Sequence, residues 1–188
     1  MNKIKVLQVF DLDETFFRMP GYTSKKSVES EDLKFSHPYD FYDHPASLCE
    51  DAHNIQLIGP VYAAWKKGHL DPEQATALIT YRVEELREEV FNILSRREIE
   101  FDSSFFLGRK TSKADTLLAL IAQYPYLDEV HIYEDSIQQL DIYQRLEKRL
   151  MISSNRIYPK FHMYIVDKSK MYKIKNIDLS EEQRIDLI

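Results

Sequence analysis

The stretch VFDLDETFF, residues 9–17, sets two aspartates two positions apart at the end of an apolar run. A charge at the end of a buried strand is costly unless something pairs it. Asp11 and Asp13 are therefore either turn and capping residues, for which Asp is well suited, or part of a site where a metal ion and a phosphate offset that cost. The elements around this stretch bear on the choice.

Upstream, IKVLQVF (4–10) is β-branched and apolar, as a buried strand should be. Downstream, residues 18–57 are rich in Ser, Asp, His, Pro and aromatics with little periodicity. That is too long for an ordinary loop and predicts an insertion or lid after the first strand. Beyond it the pattern alternates. A short helix is expected over 58–69, with Pro60 early in it, and a buried strand over 74–80. An amphipathic helix over 83–99 carries Val83, Leu86, Val90, Ile93 and Leu94 on one face. Residues 101–108 carry a short strand, and 112–124 read as a helix with Ser112 as N-cap. A strand over 129–135 ends in acids, a helix follows over 136–150, and a last strand over 161–167. Ser180 and Gln183 form a capping box for a helix over 179–188.

Apolar strands alternating with helices predict an α/β chain with a three-layer, Rossmann-like architecture: a central parallel sheet flanked by helices. At 188 residues it reads as a single domain, 1–188, carrying the 18–57 insertion. In such sheets ligands bind outside the carboxyl ends of the strands. Asp11 and Asp13 follow the first strand, Thr80 ends the second, Lys113 follows the third, and Glu134 with Asp135 ends the fourth.

The bulk numbers exclude several classes. One cysteine, Cys49, rules out an internal disulfide framework. No apolar run approaches the roughly 18 residues of a membrane span, and the basic N-terminus lacks a cleavage site, so the reading is a soluble cytoplasmic protein. The net charge of −6 argues against a surface built throughout for nucleic acid. The charge is uneven: residues 145–175 hold nine Lys/Arg and two Asp/Glu, a net of +7, leaving −13 elsewhere. That third is either a solvated face or a patch for a phosphate-bearing partner.

The residues at the strand ends match the needs of phosphoryl transfer. A carboxylate can serve as nucleophile, and a second carboxyl two residues on can move the proton. Mg²⁺ offsets the repulsion between carboxylate and phosphate, and it prefers oxygen ligands. A hydroxyl and a lysine can hold the remaining phosphate oxygens.

On these residues the chain resembles the haloacid-dehalogenase-like (HAD) hydrolases. VFDLDET looks like their first motif, ALITYR their second, TSKADTLLAL a source of the third-motif lysine, and VHIYED the fourth. The resemblance covers about residues 4–146. A closer likeness joins FDLDETFFRMP, YDFYDHPASL, LITYR, FDSSFFL and IYEDSIQQLDIY to the Swiss Army Knife RNA repair-like HAD domain, a group common in bacteriophages. Tyr81 stands where that group usually has glycine, and Ser136 and Gln139 stand where Arg and His are often found.

The resemblance implies a Mg²⁺-dependent phosphatase acting through an aspartyl-phosphate on nucleotide or RNA/DNA phosphate ends. Asp11 would be nucleophile and metal ligand, and Asp13 the general acid/base that lends its backbone carbonyl to the metal. Thr80 would bond the phosphoryl group. Lys113 would neutralise it, with Lys110 competing for that role. Asp135 would complete the metal site, with Glu134 as helper. Thr15, Tyr81 and Arg82 complete the expected substrate-binding set, Thr15 by bonding the loop backbone beside Asp11. The alternatives are a phosphatase for small metabolites or phosphoproteins, since DLDET also occurs in RNA-polymerase-tail phosphatases, and a HAD scaffold that only binds.

Two further clusters stand outside this set. His37, Asp43, His44, Cys49 and His53 could in principle hold zinc, although their spacing fits no metal pattern. Tyr39, Phe41 and Tyr42 could stack on a base or simply pack the insertion onto its domain. Trp65, with Val61 and Tyr62, is expected in the core.

Overall fold

The computed structural model describes residues 3–18, 41–49, 54–108, 110–153 and 158–177. The first strand, β1, spans Val6–Phe10 and is followed by two short strands, β2 (Phe17–Arg18) and β3 (Gln56–Leu57). Next come α1 (Gly59–His69), β4 (Gln74–Thr80), α2 (Arg87–Ser95), β5 (Ser103–Phe106) and α3 (Lys113–Ile121). The chain continues through β6 (Glu129–Glu134), α4 (Ile137–Ser153), β7 (Lys160–Asp167) and β8 (Lys170–Ile174).

Six of the strands form one sheet in the order β5-β4-β1-β6-β7-β8. The first five are parallel, and β8 runs antiparallel to β7. The chain lays β4 and β5 to one side of β1, then crosses to lay β6, β7 and β8 on the other. The order therefore reverses at β1, which makes the carboxyl ends of β1 and its neighbours the natural ligand-binding crevice. This is the α/β, Rossmann-like arrangement that the alternating pattern predicts.

Strand periodicity sorts the core into two layers. Leu7, Val9, Ala77, Ile79, Val130 and Ile132 meet Leu117 and Leu120 of α3 and Leu140, Tyr143 and Leu146 of α4. On the other face Phe10, Leu78 and Tyr133 meet Val61 and Trp65 of α1 and Val90, Ile93 and Leu94 of α2. Trp65 is in the core as expected, its indole N–H donating to the Glu100 carbonyl at 3.1 Å. Phe10 stacks on Tyr133 with ring centroids 4.6 Å apart. Such a pair adds about 0.5–1.5 kcal/mol to the area it buries.

Several boundaries differ from the sequence expectation. The helix expected over 83–99 is a 3₁₀ turn at Glu84–Leu86 followed by α2. It stops early because Glu98 takes the left-handed conformation (φ 57°), and the Ile99 amide turns back to the Leu94 carbonyl at 3.0 Å. Glu98 thus does the work a glycine usually does after a helix. The sequence pattern does not announce β8. It joins β7 through a two-residue turn, Lys168–Ser169, with both residues at positive φ (45° and 75°). The Gly or Asn that normally announces such a turn is missing.

The irregular segment 18–57 is closed at its base. Arg18 pairs with Gln56 and Phe17 with Leu57, in antiparallel register. Of its interior, residues 41–49 are described, and they hold a 3₁₀ turn at Pro45–Leu48. The helix expected over 179–188 lies outside the described residues. Among the described residues, no helix is long and apolar enough to cross a membrane.

Candidate active site

Three neighbouring strands converge on one end of the sheet. Asp11 follows β1, Thr80 ends β4 and Glu134 ends β6, with Asp135 next in the chain. Lys113, the first residue of α3, comes in beside them because Ser112 caps that helix by accepting from the Ala114 amide at 3.1 Å. The Lys113 ammonium lies 2.7 Å from Asp11 Oδ1 and 2.8 Å from Glu134 Oε2. All three side chains are buried. It is Lys113, and not the exposed Lys110, that the fold brings to Asp11.

The electrostatics are unbalanced. Asp11, Glu134 and Asp135 each offer a carboxylate oxygen within 4.8 Å of the others, and one lysine cannot neutralise three acids. Burial raises the Asp11 carboxyl to about 7, the Glu134 charge adding to the shift and Lys113 opposing it. Burial likewise raises Glu134 to about 7 against the pull of Lys113. Asp135 keeps an exposed surface, yet desolvation of its carboxyl, and then the Asp11 charge, raise it to about 6. For Lys113, burial works against the ammonium, but Asp11 and Glu134 outweigh it and hold the group well above its ordinary range. Three crowded oxygen donors with raised pKa values fit a hard divalent cation, which takes carboxylate and water ligands. Asp11, Glu134 and Asp135 could therefore hold Mg²⁺.

Asp13, expected to lend the metal its backbone carbonyl, directs its carboxylate to Arg82. Its side chain accepts from Arg82: Nη2 to Oδ1 at 2.7 Å, and Nε to Oδ2 at 3.0 Å. The expectation that Arg82 faces substrate also changes. Its side chain is 1 % exposed, and Nη1 donates to the Tyr42 carbonyl and the Ser47 hydroxyl, both at 2.7 Å. The geometry makes Arg82 a clamp that joins Asp13 to the 41–49 segment. The Arg82 backbone amide donates to Thr80 Oγ1 at 3.2 Å, which leaves the Thr80 hydroxyl hydrogen to point elsewhere.

Tyr81 is half-buried, its ring 5.0 Å from the Lys113 ammonium. Its hydroxyl donates to Gln139 Oε1 at 3.3 Å. Two of the three positions that depart from the pattern of the resembled group therefore touch each other. Gln139 Nε2 and the Thr15 hydroxyl are buried with no hydrogen-bond partner among the described residues. Thr15 is wholly buried, and among the described residues its hydroxyl does not make the bond to the loop backbone expected of it.

Sequence reasoning did not single out Tyr143 or Ser47 for the site. Tyr143 projects from α4 into the same charge cluster, and burial, with Glu134 and Asp11 nearby, holds its phenol well above the ordinary range. Tyr143 reads as an ordinary inward helical position, and Ser47 meets Arg82 only through the fold. In the 41–49 segment, His44 Nδ1 accepts from the Ala46 amide at 3.1 Å and so caps the 3₁₀ turn. Cys49 is exposed. His37, Tyr39 and His53 lie outside the described residues. Phe41 is buried and meets Tyr42 edge-on, with centroids 5.7 Å apart, while Tyr42 lies against the Arg82 guanidinium.

No family model matches the chain, and no curated protein matches it. Two solved structures do align, "Structure of Pnkp1/Rnl/Hen1 complex" and "Structure of the Pnkp1/Rnl/Hen1 RNA repair complex". The first has a TM-score of 0.49 and 16% identity, over 85% of this chain and 45% of that one. The second has the same score and identity, over 84% and 42%. The chain thus spans less than half the length of either matched chain.

Proposed function

We propose that this chain is a Mg²⁺-dependent phosphoric monoester hydrolase in which Asp11 is the nucleophile. The observation that carries the reading is the Lys113 ammonium seated between Asp11 and Glu134 at the carboxyl ends of adjacent central strands. An anionic nucleophile, a fixed cation and a crowded oxygen-donor set meet where an α/β sheet binds ligands. Mg²⁺, held by Asp11, Glu134 and Asp135, would neutralise charge between carboxylate and phosphate.

The chain's own residues supply the rest. Lys113 and the Thr80 hydroxyl bind and orient phosphoryl oxygens. An Asp11 carboxylate oxygen attacks phosphorus, and the bond from phosphorus to the ester oxygen breaks. That oxygen takes a proton through Asp13. Asp13, again a carboxylate, then accepts a proton from water as the water attacks the aspartyl-phosphate. The Asp11 oxygen–phosphorus bond breaks and inorganic phosphate leaves. The proton that Asp13 passes to the leaving oxygen is brought by the substrate, as the monoanion of its phosphate ester.

The substrate class we propose is a nucleotide or a nucleic-acid phosphate end. The motif resemblance supports it, and so does the β7–β8 turn. That turn sits at the same end of the sheet as Glu134 and exposes Lys168 and Lys170. The test is phosphate release from a panel of an aryl phosphate, nucleoside 5′- and 3′-monophosphates and oligonucleotides phosphorylated at either end. It is run with Mg²⁺ and with chelator, on native protein and on Asp11→Asn. Release that needs both Mg²⁺ and Asp11, fastest on nucleotides or oligonucleotide ends, is expected. Equal release by Asp11→Asn would refute the nucleophile, and preference for the aryl phosphate alone would refute the substrate class.

A further inference from the structure

A second cluster of metal-ligating side chains stands at the other end of β6. Glu129 opens the strand that Glu134 closes, so the two are five residues, roughly 16 Å, apart. Two-residue alternation puts Glu129 and His131 on one face of the sheet. His162 on β7 is the cross-strand partner of His131 and shares that face. The His131 Nε2 atom lies 2.8 Å from Glu129 Oε2, and His162 Nε2 lies 3.5 Å from the same oxygen. One ligand atom from each residue falls within 4.8 Å of the other two.

We propose that Glu129, His131 and His162 form a metal site for Zn²⁺ or a similar borderline transition-metal ion, independent of the Asp11 cluster. Two imidazoles and a carboxylate are a donor set that zinc takes and Mg²⁺ does not favour. Tetrahedral zinc with bonds of about 2.0–2.2 Å needs ligand atoms roughly 3.3–3.5 Å apart. The 3.5 Å separation meets this, and the 2.8 Å one needs a shift of about half an ångström in an exposed carboxylate. The other ring nitrogen of His131 faces the Tyr164 hydroxyl at 3.5 Å. That contact aims Nε2 at the site, as outer partners of metal-bound histidines do. Glu129 and His131 also line a cavity of about 350 Å³ whose wall mixes Gln8, Lys67 and Gln74 with Val6, Ala64 and Met171. Three protein ligands and an open place describe a site that keeps a water molecule. Lys160 and Lys173 lie near His162, and their charge moderates the affinity.

Zinc and cobalt titrations of the full chain test this, by calorimetry and by the visible absorption that tetrahedral Co²⁺ develops. Native protein should bind one equivalent at this site with a tetrahedral cobalt spectrum. His162→Gln and His131→Gln should each weaken binding at least tenfold, and Asp11→Asn should leave it unchanged. Zinc should also shift the imidazole ¹⁵N resonances of His131 and His162 in the native protein, a readout that does not depend on the variants folding. Unshifted imidazoles, binding that survives both histidine variants, or binding lost in Asp11→Asn would each overturn the proposal.

Discussion

Arg82 and Asp13 face each other as a fork, with Nη2 2.7 Å from one carboxylate oxygen and Nε 3.0 Å from the other. The far side of the same guanidinium holds the Tyr42 carbonyl and the Ser47 hydroxyl. One buried cation therefore ties the end of β4, the loop after β1 and the 41–49 segment together. Removing one partner of a buried pair costs about 3–5 kcal/mol. Asp13 retains 20% side-chain exposure, which places Arg82→Ala near the lower end of that range. Denaturant melts should show it, and phosphate release should fall by about 10²–10³-fold as Asp13 loses its orientation. Arg82→Lys keeps the charge without the fork and should recover stability more than turnover.

Without Mg²⁺ the acid cluster should work against folding at neutral pH. Asp11 and Glu134 are raised to about 7 and Asp135 to about 6. The unfolded chain ionises these groups near pH 4, while the folded chain still holds their protons. Over that interval the folded state binds more protons, so their contribution to stability falls as pH rises from about 4 to 7 and then levels off. In chelator, Asp11→Asn should therefore be more stable than native protein at pH 8, by roughly 2–8 °C in Tm for about 1–2 kcal/mol. The gain should shrink towards pH 4. A melting series across pH on both proteins reads this directly, and Mg²⁺ should stabilise native protein more than the variant.

The Tyr81–Gln139 contact is a second energetic couple. The hydroxyl satisfies Gln139 Oε1, while Nε2 of the same amide is buried without a partner among the described residues. Tyr81→Phe should cost about 1 kcal/mol, because it orphans the amide oxygen as well. Adding Gln139→Leu should recover that loss, since removing both partners is cheaper than removing one. A double-mutant cycle by chemical denaturation measures the coupling.

Gly68 tests the packing of α1 on the sheet. A Cβ there would run into Gln8 Nε2 and stand 2.8 Å from Gln8 Cδ. Gln8 is itself buried and donates to Gln74. Glycine to alanine inside a helix normally gains about 1 kcal/mol. Here Gly68→Ala should instead lose about 1–3 kcal/mol through overpacking, as a lower melting temperature.

The architecture was legible because it rests on local pattern. Gln74–Thr80 is the strand that the apolar run proposes, and Ser112 caps α3 as its residue type suggests. The grouping of Asp11, Thr80, Lys113, Glu134 and Asp135 follows once the strands are parallel, since every one of them sits at or just beyond a strand's carboxyl end or a helix start. What stayed hidden depends on side-chain direction and register. Nothing local says that Arg82 turns inward to Asp13 rather than outward to a ligand. The pairing of His131 with His162 needs the β6–β7 register, and Tyr81 meets Gln139 across 58 residues of chain. β8 leaves no turn signal in the sequence, because Lys168 and Ser169 take positive φ without being residues that favour it.

If Asp11 carries the phosphoryl group, the aspartyl-phosphate can be trapped on it. Native protein and Asp13→Asn are mixed with an aryl phosphate and Mg²⁺, quenched in acid within the first turnover, digested and analysed by peptide mass spectrometry. A good leaving group needs little help from Asp13, so Asp13→Asn should accumulate the phosphoryl enzyme that native protein holds only briefly. The added mass should sit on Asp11 and be absent from Asp11→Asn. Turnover with the phosphoryl group on another residue, or undiminished turnover in Asp11→Asn, would contradict the account.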